Sequence, residues 1–166
     1  MRVVLVERLS PDESSRLDEL AALAETLDYE VVTRMTQTRK PDPAYHIGSG
    51  KVDELADVVK SMDLDRAIFA NPLKPSQAFK LEEKIGVKVI DRFQLILEIF
   101  AMRAASPEAK LQVEYARLNY ELPRIKESVK RAKLDEFPGL RGGGEYGERA
   151  RVDAIKKRMK TLEGKL

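Results

Sequence analysis

The stretch from Asp91 to Pro123, DRFQLILEIFAMRAASPEAKLQVEYARLNYELP, constrains the fold of this chain more than any other. In its first half, Phe93, Leu95, Ile96, Leu97, Ile99, Phe100, Ala101 and Met102 would cover both faces of a helix. A helix on a protein surface keeps one polar face. The pattern therefore predicts a connecting helix over residues 91–105, held between two partners, with Phe93, Ile96, Leu97 and Phe100 buried. The second half changes period. Leu111, Tyr115, Leu118, Leu122, Ile125, Val129 and Ala132 are spaced 4, 3, 4, 3, 4, 3, which is the a/d seam of a coiled coil.

A matching seam lies near the end of the chain. Val152, Ile155, Met159, Leu162 and Leu166 are spaced 3, 4, 3, 4 on a helix expected from about Glu148. Ser106-Pro107 supplies a cap and a first-turn proline for the other arm. That arm runs to about Leu134, roughly 42 Å at 1.5 Å per residue. Pro123 inside it frees the Asn119 carbonyl and is expected to bend the rod. Phe137–Gly147 (FPGLRGGGEYG) holds one Pro and five Gly and reads as a tip loop over 137–147. Residues 106–166 are thus expected to form an antiparallel coiled-coil hairpin. The second arm is the shorter, and a seam residue at the last position, Leu166, reads as a cut through a longer chain.

Residues 1–90 alternate between strand and helix signals. RVVLVE (Arg2–Glu7), YEVVTRM (Tyr29–Met35), AIFA (Ala67–Ala70) and VKVI (Val87–Ile90) read as short strands. Ser10-Pro11-Asp12-Glu13 has the pattern of a capping box opening the first helix. Ser49 reads as the N-cap of the second helix, and Gly86 as the left-handed residue that stops the third. Alternation of this kind implies a mostly parallel sheet covered on both faces. The expected fold class is α/β: a small, mostly parallel four-stranded sheet flanked by helices, followed by the long helical hairpin.

Composition narrows function. The chain has no Cys and one His, His46, which removes disulfides, thiol nucleophiles and Cys-based zinc sites. No apolar run of 18 residues and no signal peptide occurs, so no membrane anchor and a cytoplasmic location are expected. HIGSGK (His46–Lys51) resembles a phosphate loop superficially. Tyr45 stands where the first glycine is needed, and Val52 where the magnesium-binding hydroxyl is needed. No dinucleotide fingerprint or paired carboxylates suggest a catalytic centre. Charge is unevenly divided: residues 1–90 hold 13 Lys/Arg and 16 Asp/Glu (net −3), residues 91–166 hold 17 and 12 (net +5). A polyanionic partner for the second half is the implied consequence.

Lys130, Arg131, Lys133, Arg141, Arg149 and Arg151 flank the glycine-rich segment. Lys and Arg neutralise phosphates and supply affinity independent of sequence. Gly142, Gly143 and Gly144 let the backbone approach an RNA surface closely, and Tyr146 is placed to stack on an unpaired base. A flexible connector for the glycines and a packed end-cap for Tyr146 are the alternatives from sequence.

Several segments resemble the N-terminal domain of the HflX family of ribosome-associated GTPases, most closely an archaeal type. They are YHIGSGKVDEL (Tyr45–Leu55), PLKPSQAFKLEE (Pro72–Glu83), DRFQLILEIFAMRA (Asp91–Ala104), EAKLQVEYARLNYELPRI (Glu108–Ile125) and the Gly142–Gly144 run. The resemblance implies docking on the large ribosomal subunit and its rRNA, with the tip reaching towards the peptidyl-transferase region and the protein aiding subunit separation. It also implies a C-terminal GTPase domain as covalent partner, holding GTP and Mg²⁺; this chain has no cofactor of its own and is not expected to hydrolyse GTP alone. Lys74 departs from the Ser or Thr often found before the proline of the third helix, a loss of about 1 kcal/mol of capping. The EYGERARVD segment departs from the longer motif of bacterial members. From the residues alone, a nucleotide-binding α/β layer and a coiled-coil protein-interaction module remain alternatives. Oligomeric state is not specified.

Overall fold

The computed structural model describes residues 1–135 and 143–166. Four strands, β1 (Arg2–Leu9), β2 (Glu30–Thr38), β3 (Arg66–Phe69) and β4 (Lys88–Asp91), form one sheet in the order β2-β1-β3-β4. Every pairing is parallel, and the β1–β2 register shifts between Val3 and Val4. The helices are α1 (Leu17–Thr26), α2 (Ser49–Ser61), α3 (Pro75–Ile85), α4 (Arg92–Arg103), α5 (Pro107–Asp135) and α6 (Gly143–Glu163). Two compact units result, Met1–Ile99 and Phe100–Leu166, with the division inside α4.

Strand side chains alternate between faces, and the first unit builds a core on each. Val4, Val6, Ala67, Phe69 and Val89 pack with Val52, Leu55, Val59, Ala78, Leu81 and Ile85 of α2 and α3. Val3, Leu5, Ile68 and Ile90 pack with Leu17, Leu20, Ala21 and Ala24 of α1 and Leu95 of α4. Burial on both faces explains why these strands are near-continuous apolar runs.

The first helix starts later than Ser10 predicts. β1 continues to Leu9, and Ser10–Glu13 closes only a turn: the Ser10 N–H donates to the Glu13 carboxylate, and the Glu13 N–H to the Ser10 carbonyl. The Leu17 N–H that opens α1 donates to the Ser15 hydroxyl at 3.2 Å, and Glu7, which is fully buried, holds the segment leading into it. Its carboxylate accepts from the Ser15 hydroxyl at 2.7 Å and the Arg16 N–H at 2.9 Å. Ser49 is likewise the first helical residue of α2 rather than its cap; Gly48 holds the cap position. Gly86 ends α3 in the left-handed conformation, φ 79°, as its sequence position predicts. At Lys74, the Gln77 side-chain Oε1 accepts the Lys74 N–H at 2.9 Å, so the α3 start is capped from inside the helix.

The connecting helix departs from expectation. α4 buries Gln94, Leu95, Leu97 and Ile99, whereas Phe93, Phe100 and Met102 are each 55% exposed and Ile96 is half-buried. Asp91 caps it, accepting the Gln94 N–H at 3.1 Å and the Leu73 N–H at 3.2 Å. Glu98 fixes it to the first unit. The Glu98 carboxylate accepts from Arg66 at 2.8 and 3.1 Å and from the Tyr29 hydroxyl at 2.6 Å. Leu97, 7% exposed, is buried as expected and lies on a different side of α4 from Leu95 and Ile99, whereas Phe93 and Phe100 stay at the surface.

In the second unit, the Ser106 hydroxyl caps α5 through the Ala109 N–H at 3.1 Å. Leu118 and Ile125 pack with Ile155 and Leu162, with Leu111, Tyr115, Leu122, Val152 and Met159 around them. Glu114 binds Arg158 at 2.7 and 2.8 Å, Tyr115 donates to Glu163 at 2.7 Å, and Ser128 donates to Glu148 at 2.6 Å. α6 begins at Gly143, not near Glu148, so Gly143, Gly144, Tyr146 and Gly147 are helical. N–H groups in a first turn lack intrahelical acceptors in any case, and the packing of Val152 and Ile155 offsets the weak helix propensity of glycine. The remainder of the expected tip loop, through Gly142, lies outside the described residues.

Candidate functional site

The expected RNA-binding residues fall on the second unit. Lys130 and Lys133 are exposed on α5, and Arg149 and Arg151 on α6. Arg131 is half-buried and pairs with Glu127 at 3.9 Å. Tyr146 is 84% exposed near the start of α6. Gly143 and Gly144 form the first two positions of α6. Arg141 and Gly142 lie outside the described residues.

Two basic residues passed over in the sequence complete the surface. A groove of about 270 Å³ is lined by Lys126, Val129, Arg149, Val152, Asp153 and Lys156. Val129 and Val152 come from the two seams, so the packing of α5 against α6 brings Lys126, Arg149 and Lys156 together. The signal was present: Lys126 precedes Lys130 by four residues, and Lys156 follows Arg149 by seven, spacings that place each pair on one helix face.

The first unit carries a second polar concentration, at the carboxyl ends of its strands. Arg8, on the α2–α3 side of β1, is buried. Its N–H donates to the Asn71 side chain at 2.8 Å, and its carbonyl accepts from Asn71 at 2.9 Å. Its guanidinium donates to His46 Nε2 at 3.1 Å and to the Arg39 carbonyl at 3.0 Å. His46 is 7% exposed, with φ 66°. Burial, and secondarily the neighbouring Arg8 charge, lower its pKa from the ordinary 6.5. A cavity of about 550 Å³ opens beside it, lined by Pro41, Asp42, Pro43, His46, Pro72, Leu73, Lys74 and Gln77. None of this was legible as a site in the sequence, where His46 reads as a structural or surface residue; it is buried.

The segment resembling a phosphate loop does not fit a nucleotide–magnesium group. Gly48 N–H is taken by the Gln37 side chain at 2.8 Å, Lys51 pairs with Glu54 at 3.2 Å, and Val52 is buried in the core. Among the described residues, no cluster of His, Asp or Glu could hold a metal ion, and no helix is long and apolar enough to cross a membrane.

A parallel α/β layer followed by two long packed helices is the arrangement of the N-terminal and middle regions of a class of GTP-binding GTPases. Residues 14–101 match the GTP-binding GTPase N-terminal family, and residues 103–166 match the GTP-binding GTPase middle region. GTPase HflX of Thermococcus kodakarensis is 42% identical over 166 residues, covering the whole of this chain and 38% of the relative. GTPase HflX of Thermofilum pendens is 44% identical, covering 99% of this chain and 39% of the relative. The chain belongs to the HflX family of GTP-binding proteins and spans about two fifths of the length of these relatives. Its fold is similar to that of a Sulfolobus solfataricus GTP-binding protein solved with GDP, with TM-score 0.64 and 26% identity over 98% of this chain and 46% of that one. A second solved structure, SsGBP with GDP, has TM-score 0.66 and 27% identity over 98% of this chain and 44% of that one.

Proposed function

We propose that this chain is a ribosome-docking region of an HflX-type GTP-binding protein, cytoplasmic in location, which contacts RNA of the large ribosomal subunit through α5 and α6. The two helices form an antiparallel coiled-coil hairpin that carries the contact. In support, partner numbers fall along α6 as they rise along α5: 114 with 158 and 115 with 163 at one end, 128 with 148 at the other. The observation that carries the reading is the basic groove between them. Lys126, Arg149 and Lys156 converge there, beside exposed Lys130, Lys133, Arg151 and Tyr146. Clustered Lys and Arg side chains neutralise phosphates, and an exposed aromatic ring stacks on an unpaired base. GTP and Mg²⁺ belong, in this reading, to the GTPase domain that relatives carry, which is the chain's covalent partner.

The test is sedimentation of the chain with purified large subunits, with chemical footprinting of their RNA. Protection of the peptidyl-transferase region, lost in a Lys126→Gln, Arg149→Gln, Lys156→Gln variant, is expected. Unchanged binding and footprint in that variant would move the protein-interaction reading of the hairpin to first place.

A further inference from the structure

The cavity at the carboxyl ends of β1 and β3 contains a hydrogen-bond donor that no described residue answers. The Arg8 guanidinium is always protonated, and its Nε–H donates to His46 Nε2 at 3.1 Å. That contact makes Nε2 the acceptor. In the neutral ring favoured by the lowered pKa, the proton must then sit on Nδ1. His46 is more than nine-tenths buried and lines the cavity. Its Nδ1 has no hydrogen-bond partner among the described residues, yet it is not among the polar atoms sealed away from all space. The Nδ1–H therefore opens into the cavity.

The surroundings combine two cations with one carboxylate, Asp42. Arg8 is a buried cation with no carboxylate within 4 Å among the described residues. Lys74 is exposed at the rim. The N–H groups of Ser76 and Gln77, in the first turn of α3, have no intrahelical acceptor, the ladder beginning with Ala78 donating to Lys74. Asp42 is the only lining carboxylate, and its Oδ1 already accepts the Ala44 and Tyr45 N–H groups at 2.8 Å. Pro41, Pro43, Pro72 and Leu73 supply apolar walls. A volume of about 550 Å³ is within the range of small-ligand pockets.

We infer that this cavity binds a small organic oxyanion, a carboxylate or phosphate on a compact apolar body. The anionic oxygens meet His46 Nδ1–H, Lys74 and the first turn of α3, and the apolar body lies against the prolines and Leu73. Arg8 is a positioning residue: it fixes the tautomer that makes His46 a donor. This site is separate from the RNA-binding face and stands independently of that reading.

The experiment is a nuclear magnetic resonance titration of the isotope-labelled 166-residue chain, with benzoate in one arm and phenyl phosphate in the other. Sodium chloride at equal ionic strength is the control. The imidazole spectrum of the free protein is expected to show the Nδ1–H tautomer. At least one probe should produce saturable shifts at the His46 ring and the Ser76 and Gln77 amides, and the stronger arm identifies the oxyanion class. Lys74→Gln, whose side chain lies outside the core, should fold normally and bind about fivefold more weakly, as expected for loss of one charge-assisted contact. An Nε2–H tautomer, shifts that never saturate with either probe, or equal affinity in Lys74→Gln would each overturn the proposal.

Discussion

Asn71 shows how much one side chain settles at the open end of the sheet. The last β1–β3 pair is Val6 with Phe69; beyond it, the Asn71 amide bonds both the N–H and the carbonyl of Arg8. Asn71→Leu would leave two buried backbone groups unpaired, and a loss of about 1–3 kcal/mol is expected in denaturant unfolding. His46 sets a pH dependence. Its folded pKa lies below the ordinary 6.5, so the unfolded chain takes up its proton first. The associated stability is therefore complete above 6.5 and declines as pH falls through that value towards the folded pKa. Unfolding measured between pH 8 and about 5 should show this decline in the native protein and not in His46→Gln, whose amide oxygen still accepts from Arg8. A His46→Gln variant with the same decline would assign it to other groups. Neither residue announces itself in the sequence. Asn71 and His46 act through Arg8, 63 and 38 positions away, and contacts at that separation leave no periodic trace.

Elements were legible where local chemistry decides them. Ser106-Pro107 opens α5 and Gly86 closes α3, because a cap and a left-handed turn are properties of a few adjacent residues. Ser10-Pro11 has the same local signature and failed, because the ladder carries β1 on to Leu9 and the buried Glu7 carboxylate holds Ser15 and Arg16, at the start of a helix that begins only at Leu17. In α4, an all-round apolar pattern suggested two-sided burial, but the Glu98–Arg66–Tyr29 ties orient the helix so that Phe93 and Phe100 stay outside. This reverses the expected cost of mutation. Phe100→Ala should change stability by less than about 1 kcal/mol, whereas Leu95→Ala, at a fully buried position, should cost about 2–5 kcal/mol. In the second unit, Leu162 is also fully buried, and Leu162→Ala should cost about 2–5 kcal/mol. Denaturant titrations of the three variants check these values; a Phe100 effect equal to that of Leu95 would show that Phe100 is buried in solution.

For the whole molecule, the division of charge separates docking from mere basicity. The net −3 over residues 1–90 and +5 over residues 91–166 means that an anionic surface repels one part of the chain and attracts the other. Each phosphate neutralised releases counterions, so the logarithm of affinity falls with the logarithm of salt concentration by about 0.7–0.9 per contact. Lys126, Lys130 and Lys156 are exposed on the two helices. If each meets one phosphate, replacing all three by Gln should flatten the slope by about 2–3 and weaken binding most at low salt. Lys60 and Lys84, on α2 and α3, provide the matched control, since they remove two positive charges from the other unit. Their replacement by Gln makes that unit more acidic and should leave the slope within about 0.5 of native, apart from a small uniform weakening through longer-range repulsion. Binding to purified large subunits across a salt series decides the matter. Equal slope changes per charge removed from either unit would mean that only net charge is sensed. A loss confined to the α5–α6 variant would mean that phosphates sit at the helical groove, with the α/β layer held away from the RNA.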